Sequence, residues 1–293
     1  ESQTIRSTPE FKNDQKHGKC CRFATDGRLI GESNWRDGKR HGRNVEFFTA
    51  SLSDAPDETQ MSNLEHYCDG VKHGLCMKWA ITGKLLMYGA YKNGERNGRF
   101  AAWFESTGAL RLKEYFVDGA LEGRSIEYHE IEDRLKNSEN KERKHNVKEV
   151  CFYSHGLKTG QYRSFWRDGT RRVKAEYNDI GQLDGVYLEW NRFGKLFKEL
   201  YYDAGELDGI CNTYSPEHGT IHETSSYKMG KMHGLYVQRY KSAGNAPKLV
   251  RLFRDDEELY AKCFTRQGKI VWENRENVPK DSIQVRRPPR QQR

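Results

Sequence analysis

Tyr91-Lys92-Asn93-Gly94-Glu95-Arg96-Asn97-Gly98-Arg99-Phe100-Ala101-Ala102-Trp103 is the stretch that decides the fold. It holds a Gly-x-x-x-Gly element, an aromatic three residues before the first glycine and another five after the second. The same element recurs at Gly38 and Gly42, Gly70 and Gly74, Gly119 and Gly123, Gly156 and Gly160, Gly181 and Gly185, Gly205 and Gly209, and Gly230 and Gly234. An earlier copy has Asp14 in place of the first glycine and ends at Gly18, which makes nine units. The second glycines are spaced 24, 32, 24, 25, 37, 25, 24 and 25 residues apart, so the period is 24 to 25 and two intervals carry insertions.

Outward from the second glycine, the fifth residue is Phe23, Phe47, Trp79, Trp103, Tyr128, Phe165, Trp190 and Tyr214, with Arg239 the exception. The third is mostly apolar, as in Val45, Met77 and Ile126. The fourth is mostly polar, as in Arg22, Glu46, Lys78, Glu127 and Glu189. Apolar at three and five with polar at four is a period of two, which predicts a β-strand with the aromatic row buried and the polar row exposed. Three residues before the first glycine stand Trp35, Tyr67, Tyr91, Phe116, Tyr153, Tyr202 and Tyr227, so a second strand enters each element with its own aromatic. Glycines 27, 83, 108, 169, 194, 219 and 244 mark the opposite turn. Each unit is a hairpin that cannot stand alone in water, so neighbours must pair edge to edge and pool their aromatic rows.

These motifs resemble the MORN repeat, and more closely the variant form of multi-copy bacterial antitoxin-like proteins. The resemblance covers about residues 11 to 253, but the regular Tyr-x-Gly-x-Trp opening of the original repeat is missing. It implies an elongated antiparallel sheet used as a binding platform, with no catalytic residues to transfer. Relatives of this kind act as scaffolds, and the variant repeats sometimes as antitoxins.

The expected architecture is therefore all-β: an extension over 1–10, one array over 11–274 interrupted at about 49–63 and 130–148, and a basic tail over 275–293. The stretch 255–274 keeps aromatics and the turn glycine Gly268 without the Gly-x-x-x-Gly element, as a cap would. The insertions read as polar loops, the second as a solvated loop or short helix. The tail carries Arg286, Arg287, Arg290 and Arg293 with two prolines and suits contact with an anionic lipid or nucleic acid.

Composition agrees. The chain has 293 residues, a formal charge of +8 and 35% hydrophobic residues, against about 45 to 50% in ordinary domains, so a large spherical core is not expected. Aromatics at 12% argue against disorder. No apolar run is long enough for a membrane-spanning helix, and seven cysteines are an odd number. These features predict a soluble intracellular chain in a reducing compartment with structural thiols.

Chemistry is weak by comparison. His17, His41, His73 and His233 each precede a second glycine, but equivalent places two strands apart are about 10 Å apart, too far for one shared ion, so they read as turn residues. No nucleophile elbow, phosphate loop or zinc-protease motif is present. The pairs Asp184 with Asp208 and Glu189 with Glu199 satisfy carboxylate-pair chemistry by type alone. The expectation is a non-enzymatic array with no cofactor, metal or small-molecule substrate, binding a protein partner through Arg22, Glu46, Lys78, Glu127, Glu189 and the tail arginines. Two other functions compete with a scaffold: a toxin-neutralising antitoxin, and peripheral attachment to anionic lipid or nucleic acid.

Overall fold

The computed structural model describes residues 6–49, 60–130, 146–241 and 245–274. All regular structure among them is β-strand, and consecutive strands pair antiparallel as hairpins. The chain divides into two units, Glu1–Gly169 with Asp179–Gly181, and Thr170–Asn178 with Gln182–Arg293. The tail arginines and most of both insertions lie outside the described residues, as does Gly244.

The hairpin of the opening motif shows how each copy works. An incoming strand, Leu85–Lys92, meets an outgoing strand, Glu95–Trp103, through Asn93 at φ 52° and Gly94 at φ 89°. Two successive residues in the left-handed region make the mirror-image turn that matches strand twist, and Asn-Gly is the pair that adopts it most readily. Lys92 opposes Glu95 and Tyr91 opposes Arg96, but Gly89 opposes Phe100, so the outgoing strand carries extra residues around Asn97 and Gly98. The first glycine thus makes the turn and the second, at φ 98°, makes a bulge. The Gly-x-x-x-Gly element, which by its glycine spacing reads as one tight turn between strands, is in the structure a turn followed by a bulge. The copy at Gly181 departs further. Its incoming strand ends at Tyr177, and Asn178 holds a longer loop by accepting the Gln182 N–H at 2.9 Å.

The expected burial pattern is also corrected. Residues directly opposed across an antiparallel pair share a face. Gly209 opposes Tyr227, Cys211 opposes Ser225 and Thr213 opposes Glu223, so the incoming aromatic lies with the second and fourth residues after the second glycine. This inner face holds most of the core: Cys20, Cys76, Phe100, Ala102, Phe116, Cys151, Ala175 and Cys211 are buried. The row Phe23, Phe47, Trp79, Trp103, Phe165, Trp190 and Tyr214 lies with the third residues on the other face and is half-buried, only Tyr128 being buried. The two aromatic rows are therefore not pooled but lie back to back. The decisive position is the second after the glycine, whose occupants Cys20, Asn44, Cys76, Phe100, Ser125, Tyr187 and Cys211 are too mixed to signal a core.

In the first unit the core centres on Phe100. Its ring meets Phe116 edge-on at 5.1 Å and Tyr91 at 5.5 Å, while the Arg96 guanidinium lies over both phenylalanine rings at 4.9 and 5.1 Å. It also covers Gly89, where an added Cβ would stand 2.3 Å from a ring carbon. The second unit uses smaller pieces, among them Val173, Ala175 and Cys211, with Tyr187 and Tyr202 edge-on at 6.3 Å.

Copies are tied at the turns. The N–H at the first-glycine place donates to a carbonyl of the preceding copy: Gly38 to Lys16 (2.9 Å), Gly70 to Arg40 (2.7 Å), Gly94 to Lys72 (2.8 Å) and Gly119 to Arg96 (2.9 Å). In the second unit Gly205 bonds Leu183 (2.8 Å) and Gly230 bonds Leu207 (2.9 Å). Asp256, at positive φ, takes the glycine's place and bonds Met232 (2.9 Å). The last described strand, Ile270–Asn274, leaves Ile270, Val271 and Trp272 exposed, unlike the polar outer surface expected of a cap.

Candidate functional site

The fourth-position residues expected to bind a partner belong to the inner face, and four of the five meet an opposite charge on another strand. Arg22 reaches Glu46 at 3.1 Å and lies over Gly31, where a Cβ would stand 2.8 Å from its guanidinium. Glu127 takes the Lys148 ammonium at 2.9 Å, and Glu189 lies 3.5 Å from Lys198. Lys78 is exposed and opposes Met87. These side chains join neighbouring strands rather than converge on one point.

Other inner-face carboxylates show how burial and partners set their charge. Burial works against ionisation of Glu65, yet the Lys72 ammonium and the Tyr67 hydroxyl, both 2.6 Å away, hold it below the usual range. At Glu114 burial outweighs the attraction of Arg96 and, with the Glu127 charge, pushes the carboxyl up. Burial likewise raises the thiols of Cys76, Cys151 and Cys211. All seven cysteines are free, so Cys68 and Cys76 form no bridge. Of the carboxylate pairs, Glu189 and Glu199 lie on opposite faces, since Leu188 opposes Glu199. Asp208 is taken up by the Met229 N–H at 3.0 Å.

The histidines occupy a place the sequence underrated. His17 lies 3.3 Å from Asp37, His41 3.3 Å from Asp69 and His233 3.2 Å from Asp255, each spanning to the next copy's turn. His41, Cys68 and Asp69 bring potential ligand atoms within 4.8 Å of one another, but the Arg36 guanidinium already meets Asp69 at 2.6 Å.

The outer face carries what the sequence reading did not reach: the first residue after each second glycine and its cross-strand partner. In the second unit Val186 opposes Tyr201, Ile210 opposes Ser226 and Leu235 opposes Leu252. Val186, Tyr201, Ile210 (56%) and Leu235 (52%) are exposed. In the first unit the corresponding positions vary, with Leu75 opposing Ala90 and Lys19 opposing Asn34, but two copies set a cation against an aromatic. Arg99 opposes Tyr115 and Arg124 opposes Phe152, beside a groove of about 680 Å³ lined by Arg124, Val150, Phe152, Gln161, Arg163 and Phe165. The signal was present at one fixed distance from the glycine, but its chemistry changes between copies and so has no consensus. Also on this face, Tyr214 donates to Glu199 at 2.7 Å; that bond, with Asn212 and Tyr201, lowers the carboxyl, while burial and the bond raise Tyr214 to about 12.

Among the described residues no helix is long and apolar enough to cross a membrane. No family model matches the sequence, and no curated protein matches it. Among solved structures it is similar to that described as "Crystal Structure of TcdB2-TccC3 without hypervariable C-terminal region", with 10% identity and a TM-score of 0.18 over 88% of this chain. The match spans 16% of that chain's length, and so distant a likeness identifies neither family nor activity.

Proposed function

We propose that this chain is a MORN-like, non-enzymatic scaffold that binds a protein partner through the outer face of its second unit. The observation carrying the reading is the row Val186, Tyr201, Ile210 and Leu235, exposed on one face of successive hairpins. A row of apolar side chains left in water on a β-surface is an interaction site or an aggregation hazard. Tyr201 supplies an aromatic anchor of the kind that dominates interface energetics. The inner-face ion pairs Arg22–Glu46, Glu127–Lys148 and Glu189–Lys198 link strands of the platform. Free thiols fit a reducing compartment, as the odd cysteine number did.

The test is affinity purification of the full chain at its natural level beside Ile210→Lys/Leu235→Lys, followed by hydrogen exchange of the reconstituted complex. Loss of the partner in the double variant, with protection of Gly209–Tyr214 and Gly234–Arg239 in the complex, supports the reading. A partner retained by the folded double variant refutes it. If the partner is lethal when produced alone, the scaffold is specifically an antitoxin.

A further inference from the structure

The outer face of the first unit has a different chemistry. Arg99, Tyr115, Arg124 and Phe152 follow one another across adjacent strands, and Lys113, Ile126, Val150 and Arg163 form a second row beside them. Tyr115 is 44% and Phe152 40% exposed, and Arg99, Lys113, Arg124 and Arg163 are all exposed. Among the described residues none of these four cations pairs with a carboxylate; Arg163 donates only to Gln161, at 2.5 Å. Arg22, Arg28, Arg36, Lys72 and Lys148, by contrast, each meet a carboxylate.

We propose that this strip binds single-stranded nucleic acid. Open rings offer stacking surfaces to any base, and guanidinium groups on either side offer phosphate contacts. Five adjacent strands at about 4.8 Å place the outermost cations roughly 19 Å apart, room for a few nucleotides. A duplex hides its base faces and would use only the charges. An acidic peptide would satisfy the cations, but its carboxylate side chains do not stack on the rings as a base beside every phosphate does. The site is distinct from the apolar row of the second unit and from the tail arginines.

The test is fluorescence anisotropy of labelled single-stranded oligo(dT) and oligo(U), and of a duplex of equal length, against the full chain from 50 to 200 mM salt. With four phosphate contacts the single-strand salt slope should be about −2.8, so binding weakens about 50-fold over this range. Tyr115→Leu and Phe152→Leu should each weaken single-strand binding about 5- to 150-fold, whereas Tyr115→Phe and Phe152→Tyr keep it. Arg99→Gln and Arg124→Gln should each reduce the slope by about 0.7. Ile210→Lys/Leu235→Lys, which tests the partner surface, should not reduce binding. Photocrosslinking with bromouracil-containing oligonucleotides should mark Tyr115 or Phe152. Four results would overturn the proposal: no binding at 50 mM salt, equal affinity for the duplex, full competition by polyglutamate, or binding abolished by glutamine at Arg286, Arg287, Arg290 and Arg293.

Discussion

His41 Nδ1 lies 3.4 Å from the backbone nitrogen and 3.3 Å from the carboxylate of Asp69, a residue held at φ 49° in the next copy's turn. The same step recurs with other chemistry: Asn97 donates to Asp118 at 2.9 Å, Glu122 accepts from the His155 N–H at 2.9 Å, and Asp208 from the Met229 N–H. What is constant is the job of securing the following turn. Any side chain able to reach that turn with a polar atom can do it.

His41→Asn should therefore be tolerated, while His41→Ala should cost about 0.5 to 1 kcal/mol, the low end for a hydrogen bond at an exposed place. Urea unfolding of both variants measures this. Equal losses would show that the side chain does not tie the copies together.

Ala204 at φ 45° and Met229 at φ 50° occupy the turn place filled elsewhere by Asp37, Asp69 or Asn93. Ordinary side chains are strained there and asparagine much less so. Ala204→Asn and Met229→Asn should each stabilise the second unit by about 0.5 to 1 kcal/mol, read as a higher thermal midpoint.

Phe100→Ala removes the ring over Gly89 and should cost roughly 3 to 5 kcal/mol. Gly89→Ala should also destabilise, because the new Cβ displaces that ring. Hydrogen exchange should report faster opening of Leu85–Lys92 and Leu110–Val117 in both variants. Unchanged protection would mean that the Phe100 cluster is not the first unit's core.

Glu114 is raised by burial, so its charged form opposes folding, and this penalty appears as pH rises above the normal carboxylate range. Glu114→Gln should raise the melting temperature at pH 7 and leave it little changed at pH 4. Glu199 and Tyr214 behave differently. The lowered carboxyl contributes stability above its unfolded value, lost as pH falls through its folded one. The raised phenol contributes stability below pH 10, lost as pH rises through about 12. Tyr214→Phe should flatten the alkaline loss, followed by melting temperature against pH.

The hairpins were legible because their turns need special backbone: Asp37-Gly38 and Asn93-Gly94 announce themselves by residue type, and a spacing of 24 to 25 repeats the announcement. The core face was not. Trp79 and Trp103 looked like its markers, yet they lie opposite the row holding Cys76 and Phe100. The bulge at Gly98 and the register shift before Trp103 alter which residues oppose one another, and no propensity reports that.

By itself, then, the sequence determined that this protein is an array of antiparallel hairpins and where most of its turns fall, since both follow from local backbone demands repeated along the chain. Only the tertiary structure decided which rows are buried, that histidine and carboxylate side chains span from copy to copy, and that Arg99, Tyr115, Arg124 and Phe152 form one strip. Those are facts of cross-strand register, set by pairing between residues that the sequence keeps apart.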